Sequence, residues 1–219
     1  MKKLLIFDLD GTLLDTLADL QESVNFALRQ YSFPEKDIEH VRKSIGNGVA
    51  KLMERCTPKG TANPHYFDCL DIFKKHYSEH YADKTLPYQG MPEIVMKLKG
   101  LGYKTAVATN KIDRLAKELI ETHFSGCFDF VLGDKDGVPK KPHPDMINHI
   151  LEHFSLTNDE AFYIGDTNVD EETAVNSKLD YVLVTYGYRT KEEIKNTCIC
   201  KVLLDSPSEV FEFFNNLIN

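Results

Sequence analysis

Six short apolar runs, most of them followed by a stretch with helical spacing, constrain the fold of this chain more than any other feature. They are Leu4–Leu9, Thr105–Thr109, Phe128–Leu132, Ala161–Ile164, Tyr181–Thr185 and Lys201–Leu204. Runs this short and this apolar suit strands buried on both faces, and parallel strands of that kind are joined by covering helices. Helical stripes lie between and after them: Ile94, Leu98 and Leu101; Leu115, Leu119 and Phe124; Met146, Ile150 and Phe154; Val210, Phe213, Phe214 and Leu217. The pattern predicts an α/β fold built on a doubly wound parallel sheet.

One stretch breaks the alternation. Between about Asp15 and Pro87 only helical spacing is found: Leu17, Leu20, Val24, Ala27, Leu28 and Tyr31, then Val49, Leu52, Met53 and Cys56, then Tyr66, Leu70, Phe73 and Tyr77. A helical insert therefore follows the first strand. A length of 219 residues allows one large domain, or a domain with such an insert.

Charge and cysteine usage exclude several classes. The 34 acids outnumber the 26 Lys and Arg, for a formal charge of −8, and the Lys pairs are scattered. Such a chain gains nothing from counterion release on a phosphate backbone, so no nucleic-acid partner is expected. The five cysteines include no C-x-x-C pair, which argues against a disulfide framework or a zinc ribbon; Cys198 and Cys200 read as two buried thiols on one strand face. Lys2-Lys3 is followed by only four apolar residues before Asp8. A signal h-region needs about 7–15 and a membrane span about 20, so a soluble cytoplasmic protein with no membrane partner is expected.

The candidate chemistry lies at the ends of the predicted strands, where ligands bind in open α/β sheets. Asp8 and Asp10 end the first run, and strand alternation puts both carboxylates on one side. Two adjacent acids need a cation or a shared proton. Gly11 permits a sharp turn that brings backbone N–H groups near an anion, with Thr12 following it. Asp166 ends the Ala161–Ile164 run, and Asp170, four residues on, reads equally as an N-cap or as a site residue. At Thr109 and Asn110 a hydroxyl and an N–H can hold a phosphate oxygen, with a capping Thr as the alternative. Lys141, extended before Pro142, suits phosphate or a solvated loop.

In combination these residues resemble the haloacid dehalogenase superfamily, with DLDGTLLDT, VATN, KKPHPD and GDTNVDEETA as its four motifs. The resemblance implies a Rossmann-like core over 1–14 and 88–219 and a helical cap over 15–87. Within the superfamily, IGNGVAKLMER, YQGMPEIVMKLKGLGYKTAVATNK and VTYGY look like the phosphoglycolate phosphatase group. By that resemblance Asp8 is the nucleophile and Asp10 the general acid and base, while Thr109 and Lys141 bind the phosphoryl oxygens. Mg²⁺ is held by Asp8, Asp166 and the backbone carbonyl of Asp10, and Asp170 orients Lys141 or a metal-bound water. Asn110, Gly11 and Thr12 join the substrate site from the core. Arg42, Gly46, Asn47 and Gly48 of the cap are candidates for the leaving group.

The implied substrate is a small phosphomonoester, with 2-phosphoglycolate first, handled by a monomer or homodimer. Three departures from the group bear on the substrate rather than the chemistry: Ser32 and Ser177-Lys178 replace frequent Gly and Ala-Gly, and Lys140 replaces a Gly.

Other readings are a sugar phosphate mutase, a pyrophosphatase or a nucleotide phosphatase on the same scaffold. A dehalogenase has no need of Asp10. The H-x-x-E-H patterns at 76–80 and 149–153 would suit zinc, but solvated helix faces explain them. A binding module without catalysis would be expected to lack Asp8 or Asp10.

Overall fold

The computed structural model describes residues 2–218. The chain divides into two compact units, one running to Leu14 and resuming at Pro87, the other spanning Asp15–Leu86. The first strand, β1, is Leu4–Phe7, and the short strand β2, Leu14–Asp15, leads into the second unit. That unit holds α1 (Leu17–Arg29), α2 (Ile38–Ser44), α3 (Val49–Cys56) and α4 (Tyr66–His80). The chain returns through β3 (Leu86–Pro87), which pairs with β2. Then follow α5 (Met91–Gly100), β4 (Lys104–Ile112), α6 (Asp113–Phe124), β5 (Phe130–Asp134) and α7 (Asp145–Phe154). The chain ends with β6 (Ala161–Gly165), α8 (Asn168–Asn176), β7 (Asp180–Val184), α9 (Lys191–Thr197), β8 (Leu203–Leu204) and α10 (Pro207–Asn216).

The main sheet has the order β5-β4-β1-β6-β7-β8, with parallel pairing throughout. All four residues of β1 are buried because successive side chains feed two different cores. Leu4 and Ile6 join Ala106, Ala108 and Leu132, packed against Met146, Ile147 and Ile150 of α7 and Ala174 of α8. On the other face Phe7 meets Phe128 edge-on, and Phe162 meets Phe213 and Phe214 of α10. The buried rings of Phe7, Phe162 and Phe214 each bring roughly 3–5 kcal/mol against truncation to Ala.

Two edges of the sequence reading change. The fifth strand begins at Phe130, because Phe128 is used as core packing between Phe7 and Phe124. Cys198 and Cys200 are not on a strand: both follow α9 in irregular chain and are only half-buried.

Within the helical unit, buried Asp19 of α1 accepts bonds from the backbone N–H groups of Lys84 and Thr85 and from the Thr85 hydroxyl. One carboxylate thus ties the first helix of the unit to its last residues. The histidines of the two H-x-x-E-H stretches are occupied by ring stacking and helix contacts: His76 stacks on Phe26 and His80, and His153 on Phe130. None of them belongs to a metal-like cluster among the described residues. No described helix is long and apolar enough to cross a membrane.

Helix α8 ends in a Schellman motif. The N–H of Lys178 bonds to the Val175 carbonyl and that of Leu179 to the Ala174 carbonyl, and Leu179 and Ala174 share one hydrophobic cluster. The motif needs a left-handed residue, supplied by exposed Lys178 at φ 55°. Ser32, another departure from Gly, takes φ 52°. A side chain in that region costs about 1–2 kcal/mol, partly offset by the freedom Gly adds to the unfolded chain. Lys178→Gly is therefore expected to stabilise the protein by roughly 0.5–1 kcal/mol, read as a raised urea midpoint with unchanged slope.

Candidate active site

The order of the sheet places the site. β1 lies between β4 and β6, so the chain leaves β1 toward one side of the sheet and later returns to the other. At such a switch point the crevice opens at the carboxyl ends of the strands. Asp8 follows β1, Asp166 follows β6, and Thr109, Asn110 and Lys111 lie near the end of β4.

The core of the site is a buried charge network. Asp8, Asp166 and Asp170 are each buried, and each offers a carboxylate oxygen within 4.8 Å of the others. The Lys141 ammonium lies 2.8 Å from Asp8 Oδ1 and 2.8 Å from Asp170 Oδ1. It also donates to the buried Tyr163 hydroxyl at 2.9 Å, which in turn donates to Asp170 Oδ1 at 3.0 Å. Burial works against the Lys141 charge, yet the Asp170 and Asp8 carboxylates hold its pKa well above the ordinary value. Burial, reinforced by the charge of Asp170 and opposed by Lys141, pushes Asp8 up to about 7. Burial and the charges of Asp170 and Asp8 push Asp166 well up. Asp170 goes the other way: burial would raise it, but Lys141, Thr167 and Tyr163 keep it below the usual carboxylate range.

Asp170 is not the N-cap of its helix. Thr167 is the N-cap and Asp170 stands at N3, completing a capping box through Oδ2, which accepts from the Thr167 N–H and hydroxyl. The same oxygen accepts from the Asp166 N–H at 3.2 Å.

Asp166 is packed by close backbone. Its Oδ2 accepts from the Tyr188 N–H at 2.7 Å, and the Thr12 hydroxyl donates to Oδ1 at 3.4 Å. A Cβ on Gly11 would lie 2.4 Å from Asp166 Oδ2, and one on Gly187 would lie 2.1 Å from the Gly11 carbonyl oxygen. Gly11, at φ 93°, also makes the turn that closes from its N–H to the Leu14 carbonyl.

Asp10 stands outside the three-acid group, although its charge also bears on Asp8. β1 ends at Phe7, so strand alternation does not reach the two acids, and their carboxylates have different cationic partners. Asp10 Oδ1 accepts from the Lys111 ammonium at 3.1 Å. Its carboxylate is outside the three-acid group, which leaves the backbone carbonyl as the atom by which the resemblance brings Asp10 to a metal.

β4 explains Lys111. Its pairing with β5 shifts between Ala108 and Ile112, so residues 109–111 form an irregular stretch that re-aims side chains. Thr109 is inside the strand and caps no helix: its hydroxyl accepts from the Lys111 N–H at 3.1 Å. The Asn110 amide clamps Lys141, accepting from its N–H at 2.8 Å and donating to its carbonyl at 3.0 Å. The Asn110 side chain therefore positions Lys141, whereas the anion-binding role read from the sequence is that of an N–H.

The residues proposed from the helical unit have local partners of their own. The Arg42 guanidinium makes two 2.8 Å bonds to Glu39, whose carboxyl is held down to about 2 by Arg42 and Lys43. Asn47 Oδ1 accepts from Arg55 at 2.9 Å. Gly46 and Gly48 take φ 124° and 81°, and Gly48 caps α3.

Sequence reasoning passed over Lys111, Tyr163, Gly187 and Tyr188. Lys111 had a signal: it shares strand parity with Thr109, but the apolar run had been closed at Thr109. Tyr163 also had one, as a hydroxyl in a run otherwise buried and apolar. Tyr188 contributes a backbone N–H, and the VTYGY stretch that holds it and Gly187 marks the group without assigning either a role.

A family model described as haloacid dehalogenase-like hydrolase matches residues 5–184. The phosphoglycolate phosphatase of Aquifex aeolicus (strain VF5) is 31% identical over 218 residues, covering 99% of this chain and 98% of its own. That of Psychrobacter arcticus is 31% identical over 228 residues, covering 100% and 95%. Among solved structures, a candidate phosphoglycolate phosphatase from Lactobacillus delbrueckii subsp. bulgaricus superposes with a TM-score of 0.93 at 31% identity, over 98% of this chain and 99% of that one. The chain belongs to the haloacid dehalogenase-like hydrolases, and its relatives place it among the phosphatases of that family.

Proposed function

We propose that the protein is a Mg²⁺-dependent phosphatase that hydrolyses a small phosphomonoester, 2-phosphoglycolate first among them, through an aspartyl-phosphate. The observation that carries this reading is the buried group of Asp8, Asp166 and Asp170 around Lys141. Three carboxyl groups face one ammonium in a buried place, and two of them, Asp8 and Asp166, resist ionisation there until a cation offsets their charge. An all-oxygen donor set of that kind fits Mg²⁺, which prefers carboxylates and keeps several waters. Asp8 and Asp166 would hold the ion with the Asp10 carbonyl, and Asp170 would stand behind them. Bound there, Mg²⁺ would supply the positive charge that lets an anionic carboxylate approach an anionic phosphoryl group.

In this reading an Asp8 oxygen attacks phosphorus, and the bond to the ester oxygen breaks. Asp10 gives the leaving alkoxide its proton. Asp10 then takes a proton from water as that water cleaves the acyl-phosphate, releasing inorganic phosphate and restoring Asp8. Lys141 and Thr109 steady the phosphoryl oxygens, where charge stabilisation counts most. The helical unit, residues 15–87, serves as a cap that excludes bulk water, with Arg42 and the 46–48 loop as its contacts to the leaving group. The conformational freedom of Gly46 and Gly48 supports a loop of that kind.

Phosphate release with Mg²⁺ from 2-phosphoglycolate, pyrophosphate, hexose phosphates and nucleotides tests the substrate. A rate on 2-phosphoglycolate far below the others overturns that choice, and interconversion of sugar phosphates without release favours a mutase. Asp8→Asn is expected to lower turnover by at least about 10³-fold with an unchanged circular dichroism spectrum; a folded, active variant removes Asp8 as nucleophile. Chelation with EDTA should abolish activity, and added Mg²⁺ should restore it. Gly187→Ala should cost about 10²-fold or more in kcat/KM, because its Cβ forces the Gly11 carbonyl or Asp166 to move.

A further inference from the structure

The mechanism proposed above leaves the buried Lys111 ammonium unused. Lys111 is 5% exposed, and its ammonium is paired with Asp10 rather than with the acid group around Lys141. Lys141 is committed to Asp8 and Asp170, on the side of the nucleophile. The site therefore carries two ammonium groups with different carboxylate partners. Lys111 belongs with the residue assigned to the leaving group.

We propose that Lys111 recognises a second anionic group on the substrate, exchanging its bond to Asp10 for a bond to that group. The inference rests on the phosphatase reading and on Asp10 serving the leaving oxygen. A group that protonates the leaving oxygen sits beside it, and the Lys111 ammonium is 3.1 Å from the Asp10 carboxylate. In 2-phosphoglycolate a carboxylate stands one methylene from the bridging oxygen, and in pyrophosphate the second phosphoryl group is bonded to it. Either anion would come to the Asp10 side of the site.

The exchange suits a buried ammonium. One carboxylate or phosphate partner replaces another, so Lys111 is never left unpaired, and Asp10 is set free only when the correct anion has arrived. A neutral leaving group offers no such partner, and Asp10 then has to act while still held by Lys111. The irregular stretch of β4 at residues 109–111 puts this lysine in place, with Thr109 accepting from its N–H.

The test compares kcat/KM for 2-phosphoglycolate, pyrophosphate and ethyl phosphate in the wild type, Lys111→Met and Lys111→Arg, with circular dichroism to verify folding. Ethyl phosphate has the same short ester without the second charge. The wild type should prefer at least one of the two substrates that carry a second anionic group over ethyl phosphate. In Lys111→Met that preference should fall by about 10²-fold, whatever loss the substrates share, and Lys111→Arg should restore much of it. The substrate that loses most identifies the second group as carboxylate or phosphate. A preference unchanged in Lys111→Met overturns the proposal, even where all rates fall together. A wild type that hydrolyses all three equally also overturns it while the phosphatase reading stands; a wild type that hydrolyses none overturns the phosphatase reading with it.

Discussion

One carboxylate, Asp170, joins the fold of this protein to its chemistry. Its Oδ2 completes the capping box of α8 and accepts the Asp166 N–H, while its Oδ1 receives the Lys141 ammonium and the Tyr163 hydroxyl. A capping interaction is worth about 1 kcal/mol. Removing one partner of a buried ion pair costs about 3–5 kcal/mol, because it strands the other charge. The electrostatic role therefore outweighs the capping role, although both use the same side chain. Gly165 makes the arrangement possible: a Cβ there would lie 2.3 Å from the Asp170 Cβ.

Close approach is the second constraint. Strands β1, β4 and β6 deliver their ends to one crevice, but a crevice of ordinary residues would hold the carboxylates apart. Gly11, Gly165 and Gly187 remove side chains where backbone and carboxylate meet. Asp166 is fully buried with backbone and hydroxyl donors, so its position is set by these contacts rather than by solvent. The rigidity of the parallel sheet, apolar on both faces, gives those contacts a fixed frame.

Much of this was legible in the sequence because it rests on local rules. Apolar runs with helical spacing between them gave the parallel sheet, and strand ends gave Asp8 and Asp166. Features that depend on a neighbour were not legible. Asp8 and Asp10 are two apart, yet the strand stops before them, so parity did not describe their partners. The clamp of the Asn110 amide on the Lys141 backbone joins residues 31 positions apart, and nothing local to either announces it. Cys198 and Cys200 sat at the start of an apolar stretch, but the strand there shrinks to Leu203–Leu204. Lys178 breaks the local preference for Gly at a helix end because Leu179 and Ala174 pack together and fix the turn.

The net charge of −8 describes the surface of this protein better than its site. Burial weakens screening, so a few groups at short range outweigh a bulk surplus spread over the exterior. Around Lys141 the carboxyl groups of Asp8, Asp166 and Asp170 outnumber the ammonium, and a cation or bound protons offset the difference. On the other side Asp10 is paired with Lys111. In the proposed function a phosphate ester would present its reacting group to the first side and its remaining group to the second. On that proposal the asymmetry of the two sides, not the sign of the whole chain, would allow an acidic protein to take an anionic substrate.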